Sequence, residues 1–320
     1  MKVIVTGVTG QDGAYLSKLL LSKGHNIYGI LSPKLKESKD SLAYLGIAGK
    51  IDFLYCDLCD KSQVEELLSE VKPEQIFNLA AQSSVGKSFK APGETLDFNI
   101  NSVLNLLEAI LKADKIIRFF QASSGDMFGK VKKLPVSLES PLNPISPYAV
   151  SKAAAHWIVR SYRTTYGIYA ASGILFNHES YLRSPDFFCK KVIRQSIEIT
   201  KGKREFLELG NIDVKRDFGY GPDYVEAMYL TLQQEIPRDY IISSGKSVSL
   251  REIVYRVFEI LDISRDKIVI NPEFYRPEEI EDSYGNNNLT KHFLGWDYNK
   301  NFFDVLELLI NEELKNYKDN

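Results

Sequence analysis

The sequence predicts an α/β chain, a doubly wound parallel sheet with helices on both faces and a smaller C-terminal lobe. Three observations carry the prediction. The first half alternates short β-branched runs with longer helical patterns. A glycine-bearing turn joins the first run to the first helix. Beyond Asn177 the elements shorten, and the loops gain charge and aromatic residues.

Taken in order, residues 3–6 are an apolar, β-branched run of buried-strand character, and 13–23 follow with helical spacing. Residues 26–30 and 51–55 are the next two strands, separated by a polar connection. Residues 75–79 precede a helical stretch at about 92–112, and 116–121 are the fifth strand. Residues 147–166 read as one long helix, opened by Pro147 and ended by Gly167, with 168–176 as the sixth strand. Residues 187–200 and 250–261 carry the apolar stripe of amphipathic helices. On this pattern 1–176 and 212–245 form the sheet domain, and 177–211 with 246–320 form the second lobe.

The 320 residues are 44% hydrophobic and 26% charged, ample for a core in each unit. A net charge of −2 leaves no basic field for nucleic acid or an anionic membrane. An anionic ligand must therefore be met by a few placed cations. No apolar run approaches the ~20 residues that cross a bilayer. Met1 leads directly into the first strand, so no leader peptide is expected, and the cytoplasm is the expected location. Of the three cysteines, Cys56, Cys59 and Cys189, the first two form a C-x-x-C without a second pair and are expected to be two reduced, structural thiols. The four histidines (His25, His156, His178 and His292) show no metal-ligand spacing, and no metal is expected.

The turn after the first strand reads TGVTGQDG over residues 6–13. Gly7 permits the tight turn, Gly10 lets backbone approach a pyrophosphate, and Gly13 lets the helix pack on the sheet. The amides of the helix N-terminus are donors to an anion. This spacing marks a Rossmann-type dinucleotide site, with Thr9, Gln11 and Asp12 in contact with the cofactor. Asp57 and Leu58 after the third strand are expected at the adenine, and Leu79, Ala80 and Ala81 after the fourth would let the dinucleotide lie on the sheet edge. An NAD site usually carries an acid at the end of the second strand. Residues 29–36 (GILSPKLK) have none there, and Ser32, Lys34 and Lys36 could hold a 2′-phosphate, so NADP is expected ahead of NAD.

Tyr148 and Lys152 sit four residues apart at the start of the long helix, on one face. A cation beside a phenol lowers the phenol's pKa from about 10 and makes it a usable base for an alcohol being oxidised. The fifth strand runs into QASSGDMFG, residues 121–129, where Ser124 is placed to share the alcohol proton with Tyr148. His178 is as readily a buried, hydrogen-bonded residue as a catalytic one.

On these motifs the chain resembles the extended short-chain dehydrogenase/reductase family, and most closely its GDP-mannose 4,6-dehydratases. The likeness also rests on residues 146–152 (SPYAVSK), 173–180 (GILFNHES), 209–213 (LGNID), 216–219 (RDFG), 223–225 (DYV) and 275–279 (YRPEE). It implies a GDP-sugar 4,6-dehydratase, a nicotinamide-dependent lyase acting on GDP-mannose or a GDP-N-acetylglucosamine-type substrate. A GDP-sugar C4 oxidoreductase or epimerase, or a non-catalytic dinucleotide sensor, are the alternatives. The catalytic set so implied is Ser124, Asp126, Tyr148 and Lys152, in a homodimer or homotetramer. Asp126 stands where the family usually has glutamate, one methylene and roughly 1.5 Å shorter. Arg216 and Arg276 are the implied diphosphate cations and Glu279 a ribose or guanine partner; Ser83, Ser84, Asn177, Arg183 and Lys191 complete the implied substrate set.

Overall fold

Strand β1 (Lys2–Thr6) buries every side chain from Val3 to Thr6, as a parallel strand covered on both faces must. In the computed structural model, which describes residues 1–113 and 116–317, it lies inside a seven-stranded sheet. Its companions are β2 (Asn26–Leu31), β3 (Asp52–Tyr55), β4 (Gln75–Asn78), β5 (Arg118–Ser124), β6 (Ala170–Leu175) and, beyond three strands of the second lobe, β10 (Tyr240–Ile242). The order is β10-β6-β5-β4-β1-β2-β3, and every neighbouring pair is parallel. All six expected strands are present; the fifth runs on to Ser124, and the sixth begins only at Ala170. With three residues, β10 is too short to give a sequence period.

Alternation along the strands sorts the core into two layers. Val3, Val5, Phe77 and Phe120 face one side with α1 (Gln11–Ser22) and α8 (Gly221–Thr231). Ile4, Ile76 and Phe119 face the other, with α3 (Lys61–Val71), α5 (Pro92–Ala113) and α6 (Pro147–Tyr166). Helix α6 has the expected bounds for local reasons. The Ser146 side chain accepts from the Ala149 amide at 3.1 Å, Pro147 opens the first turn, and Gly167 closes it at φ +68°. Short helices α2 (Asp40–Tyr44) and α4 (Val85–Lys90) lie in the connections after β2 and β4.

The second lobe is built on α7 (Phe188–Thr200), α9 (Leu250–Ile260) and α11 (Phe302–Asn316), whose apolar faces share one cluster. Strand β9 (Lys215–Tyr220) pairs with β7 (Asn177–Glu179), β11 (Ser247–Ser249) and β13 (Asp282–Ser283). A second ladder joins β8 (Leu207–Leu209) to β12 (Ile268–Ile270). The chain then returns: α10 (Asn288–Leu294) leads to Trp296 and Tyr298, which pack edge-on against Tyr224 in the first layer. Cys56 and Cys189 are buried free thiols, and Cys59 is a half-buried one. Among the described residues no helix is long and apolar enough to cross a membrane, and no cluster of His, Cys, Asp and Glu could hold a metal.

The strand order reverses beside β1, where β2 and β4 leave in opposite directions. In open parallel sheets the crevice outside the carboxyl ends of the strands at such a point is where ligands bind.

Candidate active site

The glycine turn is tightly constrained. Gly7 has φ +64°, and a Cβ there would lie 2.9 Å from the Ala80 amide nitrogen. A Cβ on Gly13 would lie 2.2 Å from the Gly7 carbonyl oxygen, so only glycine lets α1 start this close to β1. Gly10 precedes helix α1 as its N-cap and offers no side-chain cap, leaving the first amides of the helix to an anion. These features fit the pyrophosphate of a dinucleotide. Across the strand ends, the Thr6 hydroxyl donates to Asn78 Oδ1 at 2.6 Å and accepts from the Leu79 and Ala80 amides at 3.1 Å. Asn78 in turn donates to Gln121 at 2.8 Å. The segment of Leu79, Ala80 and half-buried Ala81 is thereby fixed beside the glycine turn.

Gln11 and Asp12 face the second lobe. Gln11 Nε2 donates to the His178 carbonyl at 3.1 Å, and its Oε1 accepts from Ser180 Oγ at 2.8 Å. His178 Nε2 lies 2.9 Å from Asp12 Oδ1, and Nδ1 lies 2.7 Å from the Phe176 carbonyl. Both ring nitrogens therefore face acceptors, the arrangement that suits an imidazolium. The pair ties the start of α1 to the segment after β6; sequence spacing gives no sign of it, because 165 residues separate the partners.

Burial works to raise the Asp12 carboxyl, but the His178 charge and hydrogen bond outweigh it and hold it at about 2. Burial works to lower His178, and Asp12 overcomes this, leaving it above its ordinary value of 6.5. The depressed Asp12 contributes stability that is present above its unfolded value of 3.8 and lost as pH falls toward 2. The raised His178 contributes stability that is full below 6.5 and lost as pH rises through its folded value. Asp12→Asn is expected to cost about 3 kcal/mol in urea unfolding at pH 6 and to flatten the loss of stability above neutrality. An unchanged alkaline profile would show that the imidazolium is not held by Asp12.

Tyr148, Lys152, Ser124 and Asp126 meet at the carboxyl end of β5. The Ser124 side chain caps the short turn 125–128, accepting from the Asp126 amide at 3.2 Å, and the Tyr148 hydroxyl faces it. Burial pushes the Tyr148 phenol above its ordinary value and the Asp126 carboxylate adds to this, while Ser124 and Arg183 pull it down. Lys152 Nζ sits 5.9 Å from the Tyr148 ring centre and donates to the Ala122 carbonyl at 2.9 Å. Burial brings its ammonium down to about 8, against the opposing pull of Asp12. Asp126 is half-buried, and its carboxylate accepts no hydrogen bond from the described residues.

Other sequence-derived residues fall into several places. Leu58 is core, and Asp57 pairs with Lys34 at 2.5 Å. Thr9 and Ser32 both turn to Glu37, a residue outside the sequence-derived set. Ser84 caps α4 by accepting from the Lys87 amide at 3.2 Å. Ser83 and Arg183 line a 420 Å³ cavity with Thr9, Gly10 and Gln11. Arg183 lies flat on Phe187, 3.6 Å from the ring centre, with Nε 3.6 Å from Glu179. Glu179, also absent from that set, is buried, and burial raises its carboxyl against Arg183, His178 and Lys190.

At the lobe side, Arg216 Nη2 donates to Glu279 Oε1 at 2.7 Å, and Arg276 approaches the same oxygen at 3.7 Å. The Asp126 charge also acts on Arg216, so this cation and the turn after β5 lie near each other. Lys130 and Glu278 also pair. Asn177 opens β7, opposite Phe218 of β9. Lys191 lies farther along α7, donating to the Glu208 carbonyl at 3.2 Å and resting over Phe274.

A family model described as GDP-mannose 4,6 dehydratase matches residues 4–309. The GDP-mannose 4,6 dehydratase of Dictyostelium discoideum is 38% identical, over 99% of this chain and 96% of that protein. Among solved structures, UDP-glucose 4-epimerase of Thermus thermophilus in complex with NAD has a TM-score of 0.85 at 25% identity, over 99% of this chain and 100% of that one. RMD from Pseudomonas aeruginosa complexed with NADPH has a TM-score of 0.80 at 26% identity, over 97% of this chain and 98% of that one. With the glycine turn, the Tyr148–Lys152 pair and Ser124 at one crevice, the chain belongs to the GDP-mannose 4,6-dehydratase family.

Proposed function

We propose that the chain is a nicotinamide-dependent GDP-sugar 4,6-dehydratase that forms a GDP-4-keto-6-deoxy sugar. The observation that carries this reading is the convergence of Tyr148, Ser124 and Lys152 at one strand end with Asp126, whose carboxylate accepts no hydrogen bond from the described residues. A C4 oxidoreductase needs the first three alone. Elimination of water needs the fourth.

Tyr148 is the base that takes the proton of the C4 hydroxyl, and Ser124 shares that hydrogen bond. A nicotinamide dinucleotide held at the glycine turn of residues 6–13 would supply the hydride acceptor for C4 and the hydride for C6. The 4-ketone acidifies the C5 hydrogen. Asp126 takes that proton and hands it to the C6 hydroxyl, which departs as water with its C–O bond pair, and a proton from solvent is later delivered to C5. Lys152 lowers the cost of the phenolate by its nearby charge. The short aspartate reach requires the sugar to lie close to the β5 turn, or one water between them. On the lobe that we place at 177–211 and 246–320, with β9 supplied from 212–245, Arg216 and Arg276 are the cations for the diphosphate. Glu279 would then release them and turn to the ribose or base.

The test is incubation with GDP- and UDP-sugars in deuterated water. A GDP-hexose is expected to lose one water and to gain solvent deuterium at C5. A product of unchanged mass without exchange at C5 would sink the dehydratase reading and leave the C4 oxidoreductase or epimerase. The 38% identity to a GDP-mannose 4,6 dehydratase favours GDP over UDP and mannose as the first hexose to try.

A further inference from the structure

We propose that the cleft between α6, the turn after β5 and α10 is a second binding site, shaped for a nucleoside monophosphate. It encloses 860 Å³, a volume ordinary for a small-molecule site. Tyr240 of β10, the edge strand of the large sheet, forms part of its wall. The cleft shares none of the residues assigned above to the dinucleotide or the sugar nucleotide.

Its floor is built in advance. Arg163 holds Asp239 through two hydrogen bonds, at 2.8 and 2.7 Å, and donates to the Ala170 carbonyl at 2.9 Å. Asp239 also accepts from the Ser172 amide at 3.1 Å. This pair is committed, so it sets shape and leaves binding to its neighbours. Beside it His156 lines the cavity at 7% exposure, and its Nδ1 is buried without a hydrogen-bond partner among the described residues. Its Nε2 stands 4.0 Å from Asp239, beyond hydrogen-bonding distance. Burial holds the imidazole below its ordinary value of 6.5, so at neutral pH one ring nitrogen donates and the other accepts. A buried polar atom left open costs stability, and a ligand in the cavity can satisfy it.

Charge and flat surface come from the rim. Arg160 lies over the Trp157 ring, 5.2 Å from its centre, and Arg238 lies over the Phe293 ring at 4.6 Å. Neither guanidinium meets a carboxylate among the described residues, so both keep their forked donors for a phosphate. Aromatic and guanidinium planes are the surfaces on which a nucleic-acid base stacks. Glu139, the exposed acid of the same rim, accepts only, which suits ribose hydroxyls. An anion without hydroxyls would leave that carboxylate facing like charge, and inorganic phosphate would leave the rings unused.

Met127 and Phe128, which follow Asp126 directly, line one side, and His156 stands one turn of α6 beyond Lys152. The cleft therefore backs onto the elements that carry the proposed catalytic residues without including them.

The experiment follows tryptophan emission of the full chain as AMP, GMP or UMP is added, with adenosine and inorganic phosphate in separate arms. Trp157 lines the cavity, whereas Trp296, the other tryptophan, is buried with its indole donating to the Asp223 carbonyl. At least one nucleotide is expected to change the emission with a Kd below about 1 mM, and to bind at least about tenfold more tightly than adenosine or phosphate. Arg160→Gln and Arg238→Gln should each weaken that binding by about fivefold or more. Arg216→Gln should leave it unchanged, and Trp157→Phe should abolish the emission change. No response to any of the three nucleotides overturns the inference, as does a response that survives both rim variants or Trp157→Phe. Phosphate binding as tightly as the nucleotide would reduce the site to one for a simple anion and overturn it too. None of these readouts needs a dinucleotide or sugar turnover, so failure of the dehydratase reading would leave the result standing.

Discussion

Tyr148→Phe is expected to lower GDP-sugar turnover by about 10³-fold, the contribution typical of a positioned acid–base group. The dissociation constant of the dinucleotide should change by no more than about threefold, since the ring and its packing remain. The reason lies in the setting of the hydroxyl. Tyr148 is buried, so as a free phenol it resists ionisation, and Asp126 strengthens that resistance. Ser124 and the neighbouring positive charges are what allow the proton to leave. Phenylalanine keeps every apolar contact and removes only the atom that accepts the C4 proton. Turnover measured by loss of one water from the sugar nucleotide, together with calorimetric binding of the cofactor, gives both quantities. Intact turnover in Tyr148→Phe would overturn the assignment of the base and reopen the reading of a dinucleotide sensor.

Asp126→Asn separates the two halves of the reaction. The amide cannot take the C5 proton, so water loss and deuterium exchange at C5 are expected to fall by about 10²- to 10³-fold. Oxidation at C4 does not require the carboxylate. Adding substrate to the variant should therefore leave the nicotinamide reduced, visible as near-ultraviolet absorbance, with no dehydrated product. Asp126 is half-buried, and its carboxylate meets no hydrogen-bond donor among the described residues, so removing its charge strands no partner. Binding of the dinucleotide should stay close to wild type. Equal losses in binding and in water loss would make Asp126 a structural residue. Asp126→Glu, with about 1.5 Å more reach, is expected to retain elimination.

Arg216 and Arg276 give a different lesson about how a binding site is stored. Both are held by Glu279 at the rim. Like charges brought together repel, and an acid between them offsets that repulsion; in the function proposed above a diphosphate would take its role. The motif spacing in residues 216–219 and 275–279 is sufficient to nominate the three side chains. That they share one carboxylate oxygen depends on β13 pairing with β9, a contact between residues more than sixty positions apart.

What the sequence determines by itself is local and periodic. The buried run of β1, the glycine spacing of the turn, the four-residue step from Tyr148 to Lys152 and the cap-to-glycine bounds of α6 all follow from nearest-neighbour sterics and hydrogen bonding. These suffice for the fold class and for the core of the proposed catalytic set. Tertiary structure alone decided the rest. His178 meets Asp12 because β7 crosses above the start of α1, and Glu37 reaches Thr9 because the loop after β2 doubles back. The Gln11 side chain, in the turn expected to hold the cofactor, bonds to His178 and Ser180. In each case the partner is chosen by which buried or half-buried polar atom comes within hydrogen-bonding distance once the layers pack, and no residue period records that choice.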